Sequence, residues 1–435
     1  MTYERLLEEI LYSNELLGIP KPKETVSGLV KARTILNQSF GSIFVNFSRP
    51  ISVREILHRL SGPNLTNRTA HTLTPSFIFE LTTEQNKSIE SLSYSVLIEM
   101  QRQQIIQPIS LIATCILYAN EQNVNLDQLC LQVKSLKRLL NNLGVKVYWP
   151  LIKNDKSELE KVKSLILENI ESHPNLFILC NDSNVVKQTK ETNYLKINQP
   201  IDIRKALDKT SIFENASIYL AVCSYKNQLV NFLVRISFVC NCFLASSNPA
   251  NILQLNKQTD TITYDMYKFL TVLFNYEFIF RENDDKKDFN DAVGYLLHTN
   301  LIRINEDGIT YELVKFNLKN FLFLASLFQS CMNNYLEIYS VLFSVNSTIF
   351  QFEDEKQITK VIQQKLFDKI TSQNRMSFDY ECLSLNLISN SILSLKQFDI
   401  LKKMENISSN SKLNYEINLS LLKNIIFNKL NFYFD

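Results

Sequence analysis

Between helical stretches near its start, the sequence carries one strand with nothing in view to pair with. In GSIFVNFSRP, Ile43, Val45 and Phe47 alternate with Phe44 and Asn46, a period-two run rich in β-branched and aromatic residues. Before it, residues 3–17 have the helical period, with Leu6, Leu7, Ile10, Leu11 and Leu17 on one face and Glu8, Glu9 and Glu15 on the other. Gly18 is the expected stop of that helix, and Pro20 and Pro22 prevent a restart. A second helix is expected over residues 25–38, through Val26, Leu29, Val30, Ala32 and Ile35. After the strand, Ser52-Val53-Arg54-Glu55 is a capping box that opens another helix. A single strand cannot satisfy its own backbone N–H and C=O groups, so partner strands must come from elsewhere.

Downstream the pattern is mostly helical. Residues 84–104 place Ile89, Leu92, Val96 and Met100 on one stripe. Residues 126–143 do the same with Leu126, Leu129, Val133, Leu136, Leu140 and Leu143, between an N-cap at Asn125 and a C-cap at Gly144. Lys134, Lys137 and Arg138 fall on the opposite, solvated face. Extended pieces are expected at 145–150 (VKVYWP) and 176–180 (LFILC), and long apolar helices near 216–246 and 318–345. LIRINEDGITYEL reads as a hairpin turning at Asp307-Gly308, after two helices at 262–276 and 286–297, an order compatible with a winged-helix-like unit. The expected class is therefore mainly α with a small α/β remnant at the N-terminus, α+β overall, with short hairpins in a helical C-terminal part. The expected division is an α/β remnant at 1–62, a helical domain at 63–258, and a helical domain at 259–435 carrying the hairpin at 300–313.

Several function classes are disfavoured. Lys+Arg 46 against Asp+Glu 44 leaves a net charge of +2, without the basic surplus of a nucleic-acid binder. Only 7 glycines occur, and no G-x-G-x-x-G or G-x-x-x-x-G-K-[ST] loop is present to cradle a phosphate. The 8 cysteines are scattered through apolar runs; Cys240-x-Cys242, the closest pair, lacks zinc-knuckle spacing, so all read as buried thiols, and no metal is expected. The charge-free run between Arg235 and Lys257 holds Asn241, Ser246, Ser247, Asn248 and Asn251, too polar for a lipid-facing span, so contact with a membrane is expected to be peripheral.

Three stretches carry a family likeness. They are Tyr3-Glu4-Arg5 with ELLGIPKPKETVSGLVKARTILNQSFGSIFVNFSRPISVRE, then CSYKNQLVNFLVRISFV at 223–239, then FLTVLFNYEFIF at 269–280. Together they resemble the dihydroxyacetone-phosphate branch of the glycerol-3-phosphate acyltransferase family, from Tyr3 into the 320s; the glycerol-3-phosphate branch shares the frame but fits the Pro-Lys-Pro-Lys-Glu turn less well. The resemblance implies acyl transfer from acyl-CoA, as co-substrate and without a further cofactor, to the hydroxyl of dihydroxyacetone phosphate, an early step of ether-lipid synthesis. It also implies a peripheral membrane, peroxisomal setting and, as a partner, another ether-lipid enzyme.

The family's chemistry needs a His as general base with an Asp five positions on, and arginine-bearing blocks to hold phosphate. None of the 4 histidines here has that acid: Pro63 follows His58, Ser76 follows His71, Ile178 follows His173 and Arg303 follows His298. No Glu-Gly-Thr occurs, and Gly41-Ser42-Ile43-Phe44-Val45-Asn46 imitates a Gly-x-x-Phe-x-Arg block with Asn in place of Arg. No catalytic residue carries over. The upstream blocks, and the strands that 43–47 must pair with, are expected to lie before Met1, with Met1-Thr2 standing where a buried strand ends. The chain is thus expected to be inactive alone, either as the C-terminal part of a longer acyltransferase or as a catalytically dead helical interaction module. Lys21, Lys23, Lys31 and Arg33 form the densest basic group and are the candidates for substrate phosphates, against the plainer reading of a solvated turn. Ser411-Lys412-Leu413 matches a peroxisomal address but is internal, whereas the chain ends NFYFD.

Overall fold

The computed structural model of the chain describes residues 2–6, 8–21, 23, 25–26, 33, 40–55, 82–119, 124–150, 157–181, 193–198, 209–245, 247–248, 251–255, 259–280, 284–305, 311–344, 349–352, 355–373, 379–404 and 413–425. Strand β1 (Thr2–Tyr3) leads to helix α1 (Glu9–Leu16), and β2 (Ile43–Phe44) follows. The helix expected over 3–17 thus begins only at Glu9, and Thr2 and Tyr3 form a strand instead. They supply what the lone strand lacked on one side: β1 and β2 are antiparallel, with Thr2 opposite Phe44 and Tyr3 opposite Ile43. Gly18 closes α1 at φ +75°, and a Cβ there would lie 2.7 Å from Leu385 Cδ1. Apart from Thr25, Val26 and Arg33, the helix expected over 25–38 lies outside the described residues, as do His58 and His71.

Next come α2 (Thr83–Arg102), β3 (Ile105–Ile106), α3 (Pro108–Ala119), β4 (Val124–Asn125), α4 (Leu126–Asn142), β5 (Lys146–Val147), α5 (Glu158–Ser172), β6 (Phe177–Asn181) and β7 (Asn193–Ile197). The caps of α4 are those the sequence specifies. Asn125 Oδ1 accepts from the N–H groups of Asp127 and Gln128, and Gly144 sits at φ +72°. Helix α2 forms where expected but is rotated. Ile89, Val96 and Met100 point outward while Ser88 is buried. At its C-terminal end the Gln103 carbonyl accepts from Asn46 Nδ2 at 2.7 Å and Gln103 Oε1 accepts from Lys146 Nζ at 2.7 Å.

The centre of the molecule is α6 (Lys209–Ala245), followed by β8 (Ser247–Asn248), β9 (Asn251–Leu255), α7 (Thr259–Leu273), α8 (Asp285–His298), β10 (Ile302–Ile304) and β11 (Tyr311–Leu313). Then come α9 (Leu318–Ser344), β12 (Ile349–Phe352), α10 (Glu355–Gln373), α11 (Leu385–Gln397), β13 (Leu401–Lys403), β14 (Leu413–Ile417) and α12 (Leu419–Lys423). Helix α6 packs against α1, α3, α7, α8 and α9. It is long and apolar enough to cross a membrane by length and composition, but 72% of its apolar window is buried inside the fold, as in a core helix. One cluster of buried side chains joins Leu17 to Ile425. Its aromatic centre is Phe238 of α6, with ring centroids 4.3 Å from Phe328 and 6.0 Å from Phe274.

The strands form small sheets: β3 with β5 in parallel, β4-β7-β6, β8-β9-β11-β10 and β12-β14-β13. The hairpin of β10 and β11 is present, with its expected turn at Asp307-Gly308 outside the described residues, and β11 also pairs with β9 through Glu312 and Gln254. The class is mainly helical with small sheets and short hairpins, as the periodicity indicates. Leu413 of the internal tripeptide pairs with Phe352 inside a sheet, while Ser411 and Lys412 lie outside the described residues.

Candidate functional site: the N-terminal junction

Amphipathic patterning would turn Glu9 outward and Leu11 inward, and the structure does the reverse. Glu9 is 6% exposed and Leu11 39%. The reason is Tyr225 of α6, whose hydroxyl donates to Glu9 Oε1 and accepts the Leu6 N–H at 3.0 Å. A buried carboxylate is tolerated where such a donor meets it. His173 completes the group. Its ring lies edge-on to Tyr225 at 5.4 Å, and its Nε2 is 3.8 Å from Glu9 Oε1. Its Nδ1 is 2.7 Å from the Asn169 carbonyl, which can only accept, so Nδ1 carries the proton. Burial holds the imidazole below its usual pKa against the pull of that carbonyl and of Glu9. The Tyr225 hydroxyl is pushed up by burial and by Glu9.

The Tyr3-Glu4-Arg5 stretch has a physical task at each position. Tyr3 pairs in the sheet. The Glu4 carboxylate accepts the Ser42 N–H at 2.9 Å, and its own N–H donates to the Ser42 carbonyl at 3.1 Å. The Arg5 guanidinium lies 5.2 Å from the centre of the Phe40 ring. Gly41 is required beside it: at φ +68°, a Cβ would come within 2.4 Å of Glu4 Oε2. On the inner side of β2, Phe44 packs on Tyr148 at 4.6 Å. On the outer side Ile43, Val45 and Phe47 are 61%, 44% and 88% exposed. The strand expected over 43–47 is confined to Ile43 and Phe44, the two residues that β1 pairs with, and Val45 and Phe47 belong to the exposed segment that follows it. Asn46, which imitated a phosphate-holding position, is committed to the Gln103 carbonyl.

A second buried polar group flanks the first. Lys226, the residue after Tyr225, donates to both Glu381 oxygens at 2.9 and 2.8 Å. Ser330 of α9 donates to Glu381 Oε2 at 3.1 Å and contacts Asp379, which Asn334 Nδ2 also reaches at 3.1 Å. Burial and the neighbouring Glu381 push the Asp379 carboxyl up to about 6. Burial acts the same way on Glu381, but the Lys226 ammonium outweighs it and holds the carboxyl low. Further along α9, Tyr335 donates to Glu277 at 3.0 Å, and burial pushes that carboxyl up to about 7.

Glu277 therefore makes stability depend on pH. Between its ordinary 4.5 and about 7 the folded chain holds a proton that the unfolded chain has released. Stability falls as pH rises through this window. Glu277→Gln is expected to flatten that part of the profile and to stabilise the chain at pH 8 by roughly 2 kcal/mol, allowing for partial solvent contact. Urea titrations of both chains from pH 4 to pH 8 measure it.

Lys21 pairs with Glu15 at 2.5 Å, both partners well exposed. Lys23 and Arg33 are exposed, and Lys31 lies outside the described residues. The buried Glu9–Tyr225–His173 and Lys226–Glu381–Asp379 groups escaped the sequence reading. The signal was present as Ser224-Tyr225-Lys226-Asn227-Gln228, a polar run within an apolar helix.

These features coincide with the stretches that carry the likeness, and comparison with known proteins agrees. The family described as "Glycerol-3-phosphate acyltransferase C-terminal region" matches residues 12–404. The chain is 28% identical over 409 residues to a dihydroxyacetone phosphate acyltransferase of Homo sapiens, covering 93% of this chain and 53% of the relative. It is 27% identical over 408 residues to that of Bos taurus, with the same shares. A shorter likeness, 28% over 142 residues and 33% of this chain, is to 16% of a glycerol-3-phosphate acyltransferase of Actinobacillus pleuropneumoniae serotype 5b. The chain thus spans about half the length of the curated dihydroxyacetone phosphate acyltransferases it matches.

Proposed function

The chain belongs to the glycerol-3-phosphate acyltransferase C-terminal region family, and from that premise we propose that it is the helical supporting part of an acyltransferase acting on dihydroxyacetone phosphate. In that reaction the acceptor hydroxyl attacks the acyl-CoA thioester carbonyl, the C–O ester bond forms and the C–S bond breaks. The hydroxyl proton passes through a general base to the departing CoA thiolate. This chain does not supply the base. None of its histidines has the required acid five positions on, and His173 is 1% exposed and held by Asn169. Its role is to present Ile43, Val45 and Phe47, exposed in and just after β2, as a surface against which a domain bearing the His–Asp pair packs.

The observation that supports this reading is the exposure of Ile43, Val45 and Phe47 next to the Glu4–Ser42 hydrogen bonds that tie β2 to the segment entering α1. Lys23 and Arg33, with Lys21 and Lys31, are proposed to face the phosphates of CoA or of the acceptor; the exposure of Lys23 and Arg33 supports it. The same reading places the product in ether-lipid synthesis, with a peroxisomal setting and other ether-lipid enzymes as neighbours. Dihydroxyacetone phosphate is preferred over glycerol 3-phosphate because the likeness to its acyltransferases covers 93% of the chain, against 33% for the bacterial relative.

The test is acyl transfer from radiolabelled acyl-CoA. The pure chain is expected to transfer nothing to either acceptor. Mixed with the half of the human relative that it does not match, it is expected to raise acylation of dihydroxyacetone phosphate above that of the half alone. Turnover by the pure chain would overturn the reading. A mixture acylating only glycerol 3-phosphate would keep the supporting role and replace the acceptor.

A further inference from the structure

The 3-10 turn Tyr380–Leu383, between α10 and α11, packs against α6, α9, α10 and α11. Asp379 caps it, with Oδ1 accepting the Glu381 N–H at 3.0 Å. Its other oxygen, Oδ2, meets Ser330 Oγ, and Ser330 Oγ lies 3.1 Å from Glu381 Oε2. One hydroxyl thus stands between two carboxylates. It has one hydrogen and can serve only one of them as donor. The charges point the same way. Lys226 of α6 is the cation that meets the pair, its side chain and that of Glu381 both 11% exposed. Burial pushes Cys223 and Tyr219 of α6 and Cys331 of α9 up, so they stay neutral. Glu277, within electrostatic reach of Glu381, is a further acid. Lys369 of α10 is taken by Glu337 and by Ser340 at 3.1 Å, and Lys396 of α11 lies over the Tyr415 ring at 5.4 Å. Two carboxylates against one ammonium leave one negative charge in excess inside the fold. A proton on Asp379 Oδ2 answers both shortfalls: Asp379 donates to Ser330, Ser330 donates to Glu381, and the group is neutral.

The end of the turn also supports the N-terminal segment. The Leu383 carbonyl accepts from Gln363 Nε2 of α10 at 2.7 Å, and the same nitrogen donates to the Leu17 carbonyl at 3.0 Å. Leu385, two residues on, packs over Gly18. We propose that Asp379, Ser330 and Glu381 share one proton, and that this proton latches the turn onto α6 and α9 and, through Gln363, seats the residues that end α1. With the proton lost, the group carries a net negative charge, Ser330 serves one carboxylate only, and the turn and the α1 seat loosen together. Burial and Glu381 support the assignment by raising the Asp379 carboxyl from its ordinary 3.8 to about 6. A folded-state value above the unfolded one means that the latch is closed at lower pH and released as pH rises through about 6. The latch does not depend on the acyltransferase reading.

The experiment follows hydrogen exchange of the intact chain at pH 5 and pH 8, corrected for the intrinsic pH dependence of exchange. Opening at the Glu381, Ser384, Leu17 and Gly18 amides is expected to be roughly five- to tenfold more frequent at pH 8, allowing for the partial exposure of Asp379. Asp379→Asn keeps a donor for Ser330 at every pH. Its second amide hydrogen suits Asn334 Oδ1, which is buried without a partner, once Asn334 turns its amide over. This variant is expected to exchange at both pH values as the parent does at pH 5. In a Glu277→Gln background, infrared spectra should show a neutral carboxylic-acid carbonyl band at pH 5 that fades at pH 8 and that a further Asp379→Asn removes. Equal corrected exchange of the parent at the two pH values would overturn the latch. So would a parent-like pH response in Asp379→Asn, a loosened turn with Leu17 and Gly18 unchanged, or an acid band that Asp379→Asn leaves in place.

Discussion

Lys226→Met is expected to destabilise the chain by about 3–5 kcal/mol, the cost of leaving a buried carboxylate without its counter-ion. Lys226 is the cation that answers both Glu381 and Asp379, and its own pKa is held up by Glu381 against the opposing effect of burial. Methionine fills similar volume, so the loss is electrostatic rather than a cavity. Two features separate this from a packing defect. The variant should recover stability on acidification, because its folded state then takes up protons that the unfolded chain does not bind. In addition, Lys226→Met/Glu381→Leu should recover more than half of the loss, since it removes the stranded charge. Urea unfolding of the three chains at pH 5 and pH 8 measures both. A single variant with parent stability would show that Lys226 is not the compensating charge.

Tyr225→Phe is expected to cost about 2–4 kcal/mol, because one missing hydroxyl strands a buried carboxylate and a half-buried N–H. The Glu9 carboxylate loses its donor and the Leu6 N–H loses its acceptor. The damage should also be local. The Ser42 and Glu4 amides, which tie β2 to the segment entering α1, should exchange hydrogen faster than those of α9. Tyr225→Phe/Glu9→Gln should lose less than Tyr225→Phe, since the stranded carboxylate becomes a neutral amide. If the amide exchange at 4 and 42 stays unchanged in Tyr225→Phe, the buttress does not hold the strand face.

The elements that were legible in the sequence are those whose signals are local. Helix α4 announces itself by period and by both caps, and the β10–β11 hairpin by two short apolar runs around Asp307-Gly308. The orientation of α2 was not legible: Ile89, Val96 and Met100, on the apolar stripe, are exposed, whereas Ser88 is buried. The inward turn of Glu9 depends on a partner 216 residues away, and no periodicity can report that. Strand β1 is two residues long, below what alternation can show, and it exists because Ser42 and Glu4 exchange hydrogen bonds beside it. Tyr3-Glu4-Arg5, Tyr225-Lys226 and Glu277, all within the stretches that carry the family likeness, are held in buried or interlocking contacts.

The most direct test is acyl transfer to dihydroxyacetone phosphate by a mixture of this chain and the unmatched half of the human relative, with Phe47→Asp as the decisive variant. Phe47 is 88% exposed, so the substitution should leave folding intact while placing a charge on the proposed docking face. The account predicts activity with the parent chain, none with the chain alone, and at least a tenfold loss with Phe47→Asp. Equal activity with and without the substitution, or turnover by the chain on its own, would contradict it.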